Sequence, residues 1–248
     1  MDQLTVTGMV LSAAPIGDYD RRLVLLTKER GKISAFARGA RRPNSALVGA
    51  LSPFSFGKFT IYQGRSSYTI QSAEVENYFS ELREDIEGAY FGFYFLEFAN
   101  YFTRENNDER SVLMLLYQSL RALTNKYIPN MLVRYIFELK MYYIEGIGPE
   151  VYSCVNCGMD KGDMYFSPLK GGILCGKCKG EAIDSIKLHE STIYTMQFIR
   201  SKDIQHLYTF NVTDEVLKQL EYILERYRNI HIDKEFNSLE ILKTIVNM

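Results

Sequence analysis

The chain has 248 residues, of which 46% are hydrophobic and 24% are charged, and its formal net charge at pH 7 is −1. These values are ordinary for a globular protein and allow one large or two smaller domains, each with its own core. No stretch reaches the roughly 18 to 20 uncharged apolar residues that a membrane helix needs, and the N-terminus lacks the pattern of a signal peptide. We therefore expect a cytoplasmic protein that does not enter the membrane.

Charge is segregated along the chain. Residues 21–65 contain ten basic residues and a single acid, Glu29, whereas residues 74–109 contain ten acids and two bases. Such segregation makes one surface attractive to polyanions while the protein as a whole stays nearly neutral. The pattern favours contact with a nucleic-acid phosphate backbone, and a solvated charged face is the alternative.

The first eighty residues have the pattern of β structure. Short apolar or alternating runs are separated by turns rich in glycine, proline, asparagine and aspartate. The runs are Val6, Met9–Leu11, Leu23–Leu26, Ile33–Ala37, Phe54–Ile61 and Tyr68–Ile70. Five or six short strands at this spacing predict a small barrel, which also hides the strand edges.

From about residue 80 the apolar residues recur at helical spacing. The predicted helices centre on Ala89–Phe98, Val112–Leu123, Met131–Tyr143, Ser191–Arg200, Thr213–Arg228 and Leu239–Val246. Asp108 and Pro129 stand where helix starts favour a capping carboxylate and a proline. The sequence thus predicts an α+β fold, with a five-stranded barrel over residues 1–80 and a mainly helical domain over residues 81–248.

A cysteine-rich segment, residues 151–180, interrupts the helical pattern. It contains all four cysteines of the chain, as two Cys-x-x-Cys turns separated by seventeen residues. The predicted ligands are Cys154, Cys157, Cys175 and Cys178. This spacing predicts tetrahedral thiolate coordination of a structural Zn²⁺, since four sulfurs leave no position for a reacting water. Disulfides, disfavoured in a reducing cytoplasm, and a redox Cys-x-x-Cys pair are the alternatives.

The residues that enzymes of nucleic acids usually employ are sparse. The three histidines, His189, His206 and His231, all lie in the last quarter of the chain, which weakens a hydrolase or deaminase interpretation. The segment Gly171–Cys178 resembles a phosphate-binding loop, but Cys178 stands where Ser or Thr must reach magnesium. We therefore expect no catalytic activity. A zinc-dependent nuclease or deaminase, the rival hypothesis, requires an open position on the metal.

Aromatic residues lie among the bases of the N-terminal region. They are Phe36, Phe54, Phe56, Phe59, Tyr62 and Tyr68. In a small barrel, alternation sends about half of such side chains inward and leaves the others beside the cations. Rings that stack bases and cations that neutralise phosphates are typical of an oligonucleotide-binding (OB) barrel.

Residues 8–20 and 26–45 closely resemble the start of RecO, a family of bacterial recombination mediators. The similarity continues through residues 51–54, reappears at residues 145–149 and 154–158, and returns more weakly at residues 236–239. It thus extends over essentially the full chain, and the N-terminal motif is its most specific part.

The resemblance implies an N-terminal OB barrel, a helical domain with a zinc knuckle, and a role without catalytic turnover. Proteins of this family bind single- and double-stranded DNA, anneal complementary strands and work with RecR. Together they help to load RecA onto DNA coated by single-stranded DNA-binding protein, whose acidic tail is taken up on the helical part. The resemblance therefore also implies a location at the nucleoid. The candidate residues for the tail are Arg121, Lys126, Arg134 and Lys140.

For DNA contact we expect first Arg38, Arg41 and Arg42, which lie in the matching Ala-Arg-Gly-Ala-Arg-Arg motif. Lys32 and Arg30, from the Arg-Gly-Lys turn, come next. Two alternatives remain open at this point. In one, the protein is mainly an adaptor that docks RecR and the acidic tail. In the other, the lysine-rich zinc knuckle itself contacts DNA.

Overall fold

A computed structural model describes residues 3–65 and 67–246 of the chain. The chain forms two compact units. Unit 1 extends to Thr124 and also includes the later segment that begins at Phe236. Unit 2 is Asn125–Glu235. The division into separate domains at residues 80 and 81 stays a prediction.

In the part of unit 1 that the structure describes, five strands close into a barrel in the order β1-β2-β3-β5-β4. The strands are β1 (Gln3–Ile16), β2 (Asp20–Thr27), β3 (Gly31–Ala37), β4 (Phe56–Gln63) and β5 (Tyr68–Asn77). β3 and β5 pair in parallel, through Ala35 with Tyr68 and Phe36 with Thr69, and the other neighbours are antiparallel. The predicted five-stranded barrel is confirmed.

The barrel core follows from strand alternation, which sends every second side chain inward. Along β3, Ile33, Ala35 and Ala37 are buried while Ser34 between them is exposed. The same cluster includes Val10, Leu25, Phe59, Ile61 and Ile70. Each large apolar side chain buried in this way contributes about 1.5–3 kcal/mol to folding.

Two strand predictions were wrong in detail. The runs at Val6 and Met9–Leu11 belong to one strand of 14 residues, β1, whose pairing with β2 shifts between Val10 and Ser12. Phe54, expected at the start of a strand, has a φ of 74° and precedes β4. Its ring is buried against Phe93 with a centroid distance of 4.8 Å, so packing holds this residue in the left-handed region.

The helices of the described residues include all six that the periodicity predicts. In chain order they are α1 (Leu47–Ala50), α2 (Ser80–Glu84), α3 (Ile86–Phe102), α4 (Arg110–Leu123), α5 (Asn130–Ile144), α6 (Glu190–Ser201), α7 (Asp214–His231) and α8 (Asn237–Val246). Asp108 accepts a hydrogen bond from the Arg110 backbone N–H at 3.2 Å, and Pro129 immediately precedes α5. Both residues lie at helix starts, but each is one position earlier than expected, since Glu109 holds the N-cap position of α4 and Pro129 that of α5.

The last helix, α8, packs on α3 within unit 1. Phe236 lies against Phe98 and Tyr101 of α3, with ring centroids 5.0 and 5.8 Å away. Glu97 accepts hydrogen bonds from the backbone N–H of Ser238, at 2.9 Å, and from its hydroxyl. A carboxylate at a helix N-terminus is favoured by the helix dipole, so Glu97 caps α8.

Unit 2 contains a charged network in its core. Arg134 and Glu138, one turn apart on α5, are both fully buried and form a 2.7 Å ion pair. Arg228 of α7 approaches the same carboxylate at 3.5 Å. Charges removed from water need such partners, because an isolated buried charge is strongly unfavourable. Arg134 is therefore not on the surface where a peptide tail would bind.

Lys140 of α5 also has a structural position in unit 2. Its ammonium donates hydrogen bonds to the carbonyls of Ile199, Arg200 and Lys202 at 3.1, 3.1 and 2.6 Å. These carbonyls belong to the end of α6, where the helix itself offers no partners. Of the four candidates for the acidic tail, only Arg121 and Lys126 are exposed among the described residues.

The cysteine segment of unit 2 is built on a small antiparallel sheet in the order β7-β6-β8. Its strands are β6 (Met164–Ser167), β7 (Gly172–Cys175) and β8 (Ile186–Lys187). Among the described residues, no helix combines the length and the apolar composition needed to cross a bilayer.

Replacing Lys140 by Met is expected to lower the free energy of unfolding by about 2 kcal/mol, because three carbonyls at the end of α6 lose a charged donor. Urea titration followed by circular dichroism measures this. Lys218→Met, at an exposed position of α7, is the matched control and is expected to stay within about 0.5 kcal/mol of the wild type. Equal stability of the two variants would contradict the assignment.

Candidate nucleic-acid interface and metal centre

One end of the barrel brings together the loop between β1 and β2 and the segment that follows β3. The Gly39 backbone N–H donates to the Asp20 carboxylate at 2.7 Å, and the Arg41 N–H donates to the Tyr19 carbonyl at 2.8 Å. Gly39 has a φ of 63°, a conformation that residues with a side chain rarely adopt. These main-chain contacts therefore fix the position of the backbone that carries Arg41 and Arg42.

Arg38, Arg41 and Arg42 are all exposed at this end of the barrel. Arg41 donates to the Gly17 carbonyl at 3.4 Å, and the Arg42 guanidinium lies 5.4 Å from the centre of the Tyr19 ring. Of the ten bases between residues 21 and 65, only Lys58 forms an ion pair within residues 3–65 and 67–246. The three arginines thus keep their charge available to an anionic ligand.

Lys32 and Arg30 lie at the opposite end of β3, roughly 20 Å from Arg38 at about 3.3 Å per residue. The Lys32 ammonium donates to the Asn100 carbonyl of α3. Burial lowers the pKa of Lys32, and the nearby Arg104 guanidinium lowers it further. The structure therefore does not bring the five predicted residues together, and a DNA contact by Lys32 and Arg30 stays a prediction.

The loop between α3 and α4 lies beside this second pair of bases. Gly31 forms a β-bridge with Glu105, and the Arg30 carbonyl accepts a hydrogen bond from the Asn106 N–H at 3.0 Å. Glu109 acts in the opposite sense to burial and raises the pKa of Lys32. Acids of this loop therefore offset part of the positive charge at the Lys32 end of β3.

The strand aromatics of the basic region divide as alternation predicts. Phe59 and Tyr68 are buried, while Phe36 and Tyr62 are half-buried on the outer wall. Phe56 is half-buried against Tyr117 of α4, and Phe54 lies outside the strands. Cross-strand pairs place Arg22 opposite Phe36, Phe36 opposite Thr69, and Thr69 opposite Tyr62. A row of outward side chains therefore runs across β2, β3, β5 and β4.

The four cysteines converge in unit 2. Their sulfur atoms all lie within 4.8 Å of one another, and the Cys157 and Cys175 sulfurs are 3.6 Å apart. A metal with metal–sulfur bonds of about 2.3 Å has tetrahedral sulfur–sulfur distances of about 3.8 Å. A disulfide needs about 2.05 Å, so the sulfurs are too far apart for that bond. The predicted set of ligands fits a four-coordinate metal ion.

Backbone N–H groups in the knuckle favour the thiolate form at two of its four cysteines, Cys154 and Cys175. At Cys157 and Cys178 the Met159 N–H and the Asn156 amide act in the same sense, but burial and the neighbouring sulfurs outweigh them and raise the pKa. Burial alone raises the pKa of Cys154, but backbone N–H groups of Cys175, Cys157 and Asn156 outweigh it and lower the pKa to about 6. In Cys175, the backbone N–H of Cys178 is the main cause of a lowered pKa. Because the thiolate is the form that binds metal, these N–H groups prepare the site for an ion.

Two family models match this chain, one after the other. Residues 1–79 match the model described as Recombination protein O N terminal, and residues 83–240 match Recombination protein O C terminal. The chain belongs to the RecO family. Its members act in DNA repair and recombination, so the chain is assigned to these processes.

Relatives match over almost their whole length. The DNA repair protein RecO of Alkaliphilus metalliredigens is 35% identical over 240 residues, which cover 96% of this chain and 98% of the relative. The protein of the same name from Acetivibrio thermocellus is 31% identical over 246 residues, 99% of this chain and 98% of the relative. Tyr19 of this RecO chain also lies beside the arginines, a position that the charge pattern alone did not indicate. Its signal was an aromatic residue in a loop between two barrel strands.

We expect one tetrahedral metal ion per chain, with all four thiols protected from a thiol-reactive dye until a chelator is added. Cys154→Ser combined with Cys157→Ser is expected to abolish metal binding and lower the melting temperature. Metal analysis, thiol titration and thermal unfolding measure these effects. Met159→Ser, an exposed change in the same turn, is the control and should keep the metal. Four reactive thiols in freshly purified, metal-containing protein would contradict the assignment.

Proposed function

We propose that this protein binds single- and double-stranded DNA through the end of the barrel that carries Arg38, Arg41 and Arg42. The observation that supports this most directly is that three exposed arginines converge there without an ion pair among the described residues. Lys32 and Arg30 are secondary candidates, since acids lie beside them. The strands have the order of an OB barrel, a fold that binds oligonucleotides, and this supports DNA binding at the same surface.

The mechanism is electrostatic. Each arginine that neutralises a phosphate releases counterions, which favours binding without reading the base sequence. Contacts of this kind leave the base edges free to pair with a second strand. The protein thereby anneals complementary strands without ATP and without catalytic turnover.

In the cell, the protein acts with RecR to help load RecA onto DNA coated by single-stranded DNA-binding protein. The acidic tail of that coating protein binds on the helical part. Arg121 and Lys126 are the exposed candidates for this contact, since Arg134 and Lys140 have structural partners. This work takes place in the cytoplasm, at the nucleoid.

The ion held by the four cysteines is Zn²⁺, and its role is structural. Four sulfur ligands and their spacing support this choice, because a closed sulfur set leaves no position for a reacting water. We further propose the division of the chain into an OB domain, residues 1–80, and a helical domain, residues 81–248, with the zinc segment at residues 151–180.

The variant with Arg38, Arg41 and Arg42 all changed to Ala is expected to bind single-stranded DNA more weakly. The slope of log affinity against log salt should become less steep by about 2, because each phosphate that an arginine no longer neutralises removes about 0.7 from the slope. Binding isotherms at several salt concentrations measure the slope. Arg83→Ala, Lys218→Ala and Arg226→Ala together form the control, which removes the same charge from exposed positions elsewhere. An unchanged slope in the first variant would move the DNA site to another surface, such as the zinc knuckle.

Annealing of bare complementary strands separates the two functional hypotheses. If DNA binding is the main activity, the protein alone speeds annealing, and the triple arginine variant loses most of this effect. Stopped-flow measurement of duplex formation, with labelled strands, tests the prediction. Annealing that requires RecR or the coating protein would instead favour the adaptor hypothesis.

A further inference from the structure

Tyr19 is an exposed aromatic residue at the centre of the arginine cluster. It lies in the loop between β1 and β2, and 52% of its surface is accessible. The Arg42 guanidinium lies 5.4 Å from the ring centre, a distance typical of a cation–π contact. The ring therefore does not contribute to the barrel core, and half of it is available to a ligand.

The main chain of Tyr19 is also held in place. The Tyr19 carbonyl accepts the Arg41 N–H at 2.8 Å, and the next residue, Asp20, accepts the Gly39 N–H at 2.7 Å. Asp20 is the first residue of β2 and pairs with Ile16 of β1. These contacts join the loop to two strands and to the segment after β3, so the backbone that carries the ring is positioned before a ligand arrives.

We propose that Tyr19 is a stacking platform for an unpaired base of single-stranded DNA, with the neighbouring arginines on the flanking phosphates. This inference rests on the proposed DNA-binding function and adds to it a contact that depends on the base. Aromatic rings beside cations bind single strands in this way, with little sequence preference, because every base has a π face.

Two consequences follow from the geometry of stacking. In a duplex, neighbouring base pairs cover both faces of each base, so Tyr19 favours single strands over duplexes. Stacking uses the face of the base and leaves its pairing edge open. A strand held on Tyr19 therefore stays ready to pair with its complement, as it does on the arginines.

The chain contains no tryptophan, so Tyr19→Trp introduces a single fluorescent reporter at the platform. Its emission is expected to fall strongly when a thymidine oligomer binds, because stacked bases quench indole fluorescence. An abasic oligomer of equal length carries the phosphates without bases and should leave the emission nearly unchanged at saturation. Tyr127→Trp, at an 86% exposed position in unit 2, is the matched control and should respond to neither oligomer.

Affinity gives an independent measurement. The wild type should bind the thymidine oligomer about tenfold more tightly than the abasic one, and Tyr19→Ala should lose this preference. Tyr19→Phe keeps the ring and should retain the preference. The salt slope should be the same for all three proteins, because the phosphate contacts of the arginines are unchanged.

The outcomes separate this inference from the function on which it rests. Quenching by the thymidine oligomer, with a preference that disappears only in Tyr19→Ala, supports the platform. An unquenched Tyr19→Trp, or equal preference in Tyr19→Ala and the wild type, overturns the platform. If the arginine variant nevertheless flattens the salt slope, the proposed DNA-binding surface stands without it. If the wild type binds neither oligomer, both proposals fail.

Discussion

The pairing of β3 with β5 closes the barrel, and the arrangement of unit 1 depends on this closure. The ladder is short, with Ala35 opposite Tyr68 and Phe36 opposite Thr69. Once the sheet is closed it has one inside and one outside, so alternation assigns each side chain to the core or to the surface. The antiparallel pairing of β2 with β3, with Arg21 opposite Ala37, places the end of β3 beside the loop between β1 and β2. The arginines of residues 38–42 therefore owe their position to main-chain pairing.

The same geometry explains how a nearly neutral protein presents three exposed arginines together. The two ends of β3 differ in their neighbours, because Glu105 and Glu109 lie beside Lys32. At the other end, Arg38 and Arg42 are exposed without ion pairs among the described residues. Coulomb attraction falls with distance and with screening by salt, so the local arrangement of charges outweighs the net charge of the chain.

Local patterns in the sequence predicted the elements well, since alternation, helical period and cysteine spacing are properties of short segments. Two Cys-x-x-Cys turns confine four sulfurs to a small volume wherever the segment packs, so the metal site was predictable. Features that depend on tertiary contacts could not be predicted from the sequence. The left-handed Phe54 packs on the Phe93 ring, and the Lys32 ammonium donates to the Asn100 carbonyl of α3. Neither partner is near in sequence.

The contact between Glu97 and Ser238 joins positions that are 141 residues apart in the chain. Unit 2 is thus inserted, in sequence, between the barrel unit and the helix that completes it. During synthesis on the ribosome, α3 emerges long before α8. The aromatic residues of α3 that pack on Phe236 therefore have no partner there until the end of the chain is made. Contacts between residues so far apart in the chain form late, and they slow the folding reaction. Unit 2 can therefore finish folding during synthesis, while unit 1, which carries the proposed DNA-binding surface, is completed last.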